Sequence, residues 1–279
     1  MSSIAIITAR GGSKRIPRKN IKEFCGKPIL LYSIEAALDC GKFDEVMVST
    51  DDDEIAQLAK QAGASVPFLR SEKTSGDFAT TADVIEEVLA EYAKQGKTFE
   101  SACILYPTAP FVTSEKLRNA MTLLEENGAD SVLPIVQFSF PPQRAFVNRE
   151  GRIQFANKEY AKARSQDLEP MFHDSGQFCC FRTEVFTEKR TLVTDNTVGI
   201  VCPESEVQDI DNYEDWILAE LKYKFFIKNF YVNYKRECLF LHEKVILFQK
   251  KNNLIFELHL ILSMQLCIPN LYSLPFLHE

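Results

Sequence analysis

IAIITARGGSKRIPRKN, residues 4–20, changes character partway along. Its first five residues, IAIIT, are a short apolar run of the kind that forms a buried parallel strand. The run breaks into a loop of glycines and cationic side chains. In α/β folds a central strand ends this way at a ligand site, because ligands sit outside the carboxyl ends of the strands. Gly11 and Gly12 let the backbone approach an anion and turn N–H groups toward it. Arg10, Lys14 and Lys19 can neutralise a triphosphate, the arginine bidentately. The segment matches neither GxxxxGK[ST] nor GxGxxG, so the ATPase and dinucleotide fingerprints both fail on spacing.

Beyond the loop, Ile29, Leu30, Ile34, Ala37 and Leu38 repeat at helical spacing, with Pro28 in the first turn. EVMVST (45–50) reads as a strand. DDDEIA (51–56) reads as a helix start, where the carboxylates of Asp51, Asp52 and Asp53 suit the positive end. ASVPFL (64–69) reads as a short strand and TADVIEEVLAEYAKQ (81–95) as an amphipathic helix. SACILYP (101–107) is a core strand, SEKLRNAMTLLEEN (114–127) a helix and ADSVLPIV (129–136) a strand. QFCCF (177–181) and TVGIVCP (197–203) are strand-like, and NYEDWILAELKYKFF (212–226) is a last helix. Strands alternating with helices predict an α/β protein with a doubly wound, mainly parallel sheet.

Two regions break that rhythm. FSFPPQRAFVNREGRIQF (138–155) reads as a loop and a hairpin turning at Glu150-Gly151, so 137–180 is expected to be an inserted subdomain or dimerisation arm. Residues 227–279 are rich in Leu, Phe, Ile, Asn and Tyr without strand–helix alternation. They are read as a tail outside a catalytic domain spanning 1–226. Its apolar stretch holds Glu257 and His259 and is broken by Pro269, whereas a membrane helix wants about 20 clean apolar residues, so no membrane span is expected.

The 279 residues carry a net charge of −7, which argues against nucleic-acid binding. Against that acidic background, Arg10, Lys14, Arg15, Arg18, Lys19, Lys22 and Lys27 are opposed locally only by Glu23, which points to a small polyanion. The eight cysteines form no CxxC pair and no Cys/His ligand spacing, and read as reduced thiols of a cytoplasmic protein. The N-terminus lacks a basic n-region, so a signal peptide is not expected.

With STDDDEIA (49–56), FLRSEKTSGDFATTADV (68–84), LYPTAPF (105–111), RSQDLEPMFHDSGQF (164–178) and QDIDNYED (208–215) following in order, the loop closely resembles the first motif of the CMP-sugar synthetases. These are the acylneuraminate cytidylyltransferase family, within the glycosyltransferase-A-like nucleotidyltransferases. The resemblance covers about residues 3–226. It implies that Arg10, Ser13, Lys14 and Lys19 contact the triphosphate of CTP, with Asn20 near the ribose or base, and that Arg70, Thr80 and Thr81 recognise cytosine. LYPTAP, with Tyr106 where sialic-acid synthetases usually carry Gln, together with RSQDLEPMFHDSGQF, resembles the pseudaminic-acid branch.

Asp209 and Asp211 are two residues apart, so on an extended segment both carboxylates can face one ion. The resemblance assigns this pair to Mg²⁺ (or Mn²⁺), a hard cation that shares oxygen ligands with substrate phosphates. They can also cap the helix that follows. The nine-carbon acidic sugar that the family uses needs a cation for its carboxylate, and Arg144 and Arg164 are the candidates. Tyr106, His173, Asp174 and Gln177 are the other expected sugar contacts. The family further implies a homodimer through 137–180. Rival readings are cytidylyltransferases for sialic, legionaminic or 3-deoxy-manno-octulosonic acid. In another class stands a non-catalytic nucleotide-binding regulator, which the Asp209–Asp211 pair disfavours.

Overall fold

In the computed structural model, which describes residues 2–225, the first apolar run becomes β1 (Ser3–Thr8), buried from Ser3 to Ile7. The loop beyond it ends in a 3-10 turn at Lys19–Ile21. A small hairpin follows, β2 (Glu23–Phe24) with β3 (Lys27–Pro28), and leads into α1 (Leu30–Cys40). Next come β4 (Glu45–Ser49), α2 (Asp53–Gln61), α3 (Glu72–Ser75), α4 (Thr81–Lys94), β5 (Ser101–Leu105), α5 (Ser114–Glu126) and β6 (Ser131–Gln137). A second hairpin, β7 (Phe146–Arg149) with β8 (Arg152–Phe155), lies in the insertion. The chain returns through β9 (Phe172–Asp174), β10 (Phe178–Arg182), α6 (Thr183–Lys189) and β11 (Thr197–Val201). A last helix, α7, covers 213–225 among the described residues. Met1–Tyr223 form one unit, and the expected tail at 227–279 lies outside the described residues.

Among the described residues, seven strands form the main sheet in the order β11–β6–β10–β5–β1–β4, with β9 also paired to β6. β1 runs parallel to β4 and β5, and β11 parallel to β6. β10 is antiparallel to both neighbours. The chain leaves β6 at its carboxyl end and re-enters the sheet from that same end after the insertion, so its return must be antiparallel. The return is broken at Ser175-Gly176-Gln177: β9 pairs with Ile135–Gln137, β10 with Ser131 and Val132, and Gly176 takes φ 66° between them.

Apolar faces of α1, α2 and α5 cover one side of the sheet through Leu30, Ile34, Ile55, Ala59, Leu117, Met121 and Leu124. α4 and α6 cover the other through Val84, Ile85, Val88, Tyr92 and Phe186. The doubly wound arrangement read from the alternation is the observed one. A third cluster joins Ile16 of the basic loop to Phe24, Ile29, Tyr32, Ile210 and Trp216, with Phe24 edge-on to Trp216 at 5.5 Å.

Local differences from the sequence reading have local causes. ASVPFL pairs only through a single bridge, Met47 with Ser65, because Pro67 has no N–H to continue a ladder. Pro28 pairs in β3 opposite Glu23, so α1 starts later, at Leu30. The turn at Glu150-Gly151 takes φ 54° and 82°, the left-handed pair that a tight hairpin favours. The described cysteines are all free, and burial pushes the Cys40, Cys103, Cys179 and Cys202 thiols up, away from the reactive thiolate.

Candidate active site

The loop after β1 is shaped by carboxylates from α2. A Cβ at Gly11 would meet the Asp52 side chain at 2.7 Å, so only glycine fits where the loop crosses the start of that helix. The Gly11 N–H donates to Asp51 Oδ1 at 2.8 Å, so the anion it meets here is a carboxylate of the protein itself. A Cβ at Gly12 would meet open space. Asp52 caps α2 by accepting from the N–H groups of Glu54 and Ile55, each at 3.0 Å, and also receives Arg18. Arg18 itself sits at φ 54°. It hydrogen-bonds Asp52, which raises its pKa, and also reaches Glu54. Asp52 thus caps the helix and Asp53 lies in its first turn, as expected, while Asp51 sits before the cap and joins Asp52 in fixing the loop.

Asn20 is buried and donates from Nδ2 to the Arg10 carbonyl at 2.8 Å, folding the loop back on itself. Lys19 donates from Nζ to the Ile210 carbonyl at 2.6 Å. Burial lowers its pKa, while Asp211 and Asp209 pull it back up. Ile16, fully buried, pins the middle of the loop from below.

These side chains open on a cleft of about 570 Å³ lined by Arg10, Ser13, Lys14, Lys19, Tyr106 and the Asp209–Asp211 pair, with Arg15 and Asp77 beside them. A second lobe of about 240 Å³ is lined by Arg70, Thr80 and Thr81. The two lobes share Thr8, Arg10 and Asp77. In the smaller lobe Arg70 is buried, donating from Nε to Ser49 Oγ at 3.0 Å and from Nη2 to the Ser49 carbonyl at 2.6 Å. Burial lowers its pKa to about 10, against the pull of Asp51 and Glu87, so it stays a cation at neutral pH. Thr80 caps α4 in a reciprocal box with Asp83. Thr81 shares a side-chain hydrogen bond with Tyr106, whose pKa is raised by burial and then by Asp174.

The carboxylate pair lies across the larger lobe. Asp211 accepts from Arg15 Nη2 at 2.6 Å, and the Asp209 carboxylate has no partner among the described residues. No group of three or more His, Cys, Asp or Glu side chains among the described residues could hold an ion. Two hard oxygen donors in a cleft lined with cations fit a divalent ion that takes its other ligands from a polyphosphate.

The expected sugar contacts divide. Tyr106 lines the cleft, and Gln177 is buried next to it, its carbonyl accepting from the Tyr106 N–H at 3.0 Å. Gln177 Nε2 donates to the Glu206 carbonyl at 2.7 Å, leaving Oε1 buried without a partner. His173 is exposed, its ring tilted at 53° against Phe138 at 4.7 Å, with Nδ1 2.9 Å from the Asp174 carbonyl. Asp174 Oδ1 accepts from the Gly176 N–H. Arg144 and Arg164 stay within the insertion. Arg144 donates to Ser165 Oγ at 3.2 Å, and Arg164 pairs with Asp167 at 2.6 Å.

Sequence reasoning passed over Asp77, which no local spacing rule ties to the loop, and placed Arg15 in the basic cluster without a contact of its own. A net cationic loop in an acidic chain was the available signal that counter-ions would arrive from elsewhere.

A family model described as Cytidylyltransferase matches residues 4–194. The pseudaminic acid cytidylyltransferase of Campylobacter jejuni subsp. jejuni serotype O:2 is 37% identical over 225 residues, covering 80% of this chain and 97% of that protein. The CMP-N,N'-diacetyllegionaminic acid synthase of Legionella pneumophila subsp. pneumophila is 32% identical over 228 residues, covering 79% of this chain and 95% of that protein. Among solved structures, CMP:2-keto-3-deoxy-manno-octonic acid synthetase complexed with CTP aligns with TM-score 0.58 at 16% identity, over 82% of this chain and 100% of that one. That last likeness is one of fold.

Proposed function

The chain belongs to the cytidylyltransferase family, and from that premise we propose that it transfers CMP from CTP to pseudaminic acid, giving CMP-pseudaminic acid and pyrophosphate. The observation that carries this reading is the meeting of the cationic loop, Tyr106 and the Asp209–Asp211 pair in one cleft. The choice of sugar rests on similarity along nearly the whole length of a relative that acts on pseudaminic acid.

Arg70, Thr80 and Thr81 hold cytosine in the smaller lobe, and Arg10, Ser13, Lys14 and Lys19 hold the phosphates in the larger one. The anomeric hydroxyl of the sugar attacks the α-phosphorus in line, the bond to the β-phosphate oxygen breaks, and pyrophosphate leaves. Positioning and fixed charge carry most of such a transfer, and no protein nucleophile is required. Asp209 and Asp211 would hold Mg²⁺ (or Mn²⁺), which when bound neutralises phosphate charge and acidifies the attacking hydroxyl. Arg144 and Arg164 serve the sugar carboxylate, and His173, Asp174 and Gln177 its hydroxyl and amide groups. Residues 1–226 carry the activity. The protein works in the cytoplasm, where thiols stay reduced, as a homodimer joined through the 137–180 insertion.

The test is pyrophosphate release from CTP with pseudaminic, N-acetylneuraminic, legionaminic and 3-deoxy-manno-octulosonic acids. The highest kcat/KM is expected for pseudaminic acid, and turnover should vanish in Asp209→Ala and in Asp211→Ala at unchanged melting temperature. Preference for another sugar would move the chain to a sister specificity. CTP binding with no turnover on any sugar would favour a non-catalytic nucleotide-binding regulator.

A further inference from the structure

The two lobes of the cleft meet at Thr8, Arg10 and Asp77, and there a carboxylate bridges two cations. Asp77 Oδ1 accepts from Arg10 Nη1 at 3.0 Å and Oδ2 from Lys14 Nζ at 2.5 Å. Arg10 Nη1 also reaches the Gly76 carbonyl at 3.4 Å. The hydrogen bonds from Lys14 and then Arg10 hold the Asp77 carboxyl below its usual range. Asp77 is carried on residues 76–80, the connection between α3 and α4, where its neighbour Phe78 is 98% exposed. The connection is held to the basic loop by charge at Asp77, and Phe78 adds no apolar anchor.

One carboxylate shared between an arginine and a lysine reproduces what two oxygens of a phosphate would do with the same cations. A ligand lying in both lobes, with its base at Arg70 and its phosphates at Lys19, has to cross this bridge. Its phosphate must then take Arg10 and Lys14 from Asp77, because the phosphate and the carboxylate repel each other when crowded onto the same two cations.

Resting on the reading of this cleft as a nucleotide site, we propose that Asp77 is a displaceable counter-ion that keeps Arg10 and Lys14 occupied until a polyphosphate replaces it. Its carboxylate raises the threshold for every anion. A ligand with several phosphate charges overcomes that threshold, while one carrying a single charge gains less from the exchange. Displacement also releases residues 76–80 from the loop, so occupancy of the phosphate lobe is sensed by the segment that borders the base lobe.

The test is calorimetric titration of the full chain and its Asp77→Asn and Asp77→Glu variants with CTP, in EDTA, at low and high salt. A parallel titration uses inorganic tripolyphosphate. Two exposed ion pairs correspond to a gain of between about twofold and thirtyfold in Asp77→Asn for both ligands. The gain should shrink at high salt, and Asp77→Glu should stay near the parent. Equal or weaker affinity in Asp77→Asn at unchanged melting temperature overturns the proposal. Failure of CTP to bind the parent chain would instead remove the nucleotide reading, and the tripolyphosphate titration would still test Asp77.

Discussion

Lys19 and Arg15 lie four residues apart in the same basic loop, yet their surroundings differ. Lys19 is partly buried against the Ile210 carbonyl, while the Arg15 side chain is 67% exposed in its pair with Asp211. Losing a partly desolvated charge costs several kcal/mol, so Lys19→Ala should lower kcat/KM for CTP by roughly thirtyfold or more. An exposed pair is worth about 1 kcal/mol or less, which limits Arg15→Ala to a loss of about fivefold. Steady-state kinetics on both variants checks this, and equal mild losses would make the loop a generic basic surface. Arg10, Ser13, Lys14, Lys19 and Asn20 were legible in the sequence because they crowd into one loop after a buried strand. The pairings of the loop's cations, Arg10 and Lys14 with Asp77, Arg18 with Asp52 and Glu54, and Arg15 with Asp211, were not. Asp77, Asp52, Glu54 and Asp211 come from distant segments, and only folding brings them opposite the loop.

Helix α4 is locked at its start by Thr80 and Asp83, which exchange hydrogen bonds, and Arg190 reaches Asp83 and Glu86 from beyond α6. The Thr80 N–H and hydroxyl hold the Asp83 carboxyl below its usual pKa, with Arg190 adding to the effect. A carboxyl whose folded pKa is depressed contributes stability above the ordinary carboxylate range, and loses it as pH falls through the lower folded value. Asp83→Asn should therefore melt at a lower temperature than the parent at pH 7, and the two should converge as pH drops below about 4. A constant gap between the melting curves would show that the charge is irrelevant to the cap. The longer elements were readable from apolar periodicity, as in α4 and α5, and β1 and β5 from their continuous apolar runs. Helix α6 was not: over Thr183–Lys189 it buries only Phe186, too little to leave a periodic signal. The reversed direction of β10 was equally invisible, because strand patterns carry no polarity and the insertion alone sets it.

At the scale of the molecule, the insertion keeps apolar side chains on its surface, with Phe140 88%, Ile153 65% and Phe146 56% exposed. Apolar patches of this kind mark contact sites. Light scattering at micromolar concentration should give a dimer for the parent, and a Phe140→Asp, Ile153→Asp double variant should shift it toward the monomer. A monomeric parent would contradict the assembly. The break in the strand–helix rhythm after β6 was legible, but the expected bounds of 137–180 take in β9 and most of β10, which pair in the main sheet, and the hold on Arg144 and Arg164 depends on contacts to Ser165 and Asp167 that no pattern announces. The cluster linking Ile16 to Ile210 and Trp216 reaches further, into the order in which the molecule is made. The basic loop leaves the ribosome well before part of its support: Ile210 and Trp216, along with Asp209 and Asp211, emerge about 190 positions later. At roughly 5–20 residues per second, the loop waits between about 10 and 40 s for its support. Arg10, Lys14 and Arg18 meet Asp77, Asp52 and Glu54 early in synthesis, whereas Arg15 and Lys19 stay without Asp211 and the Ile210 carbonyl until that later segment emerges.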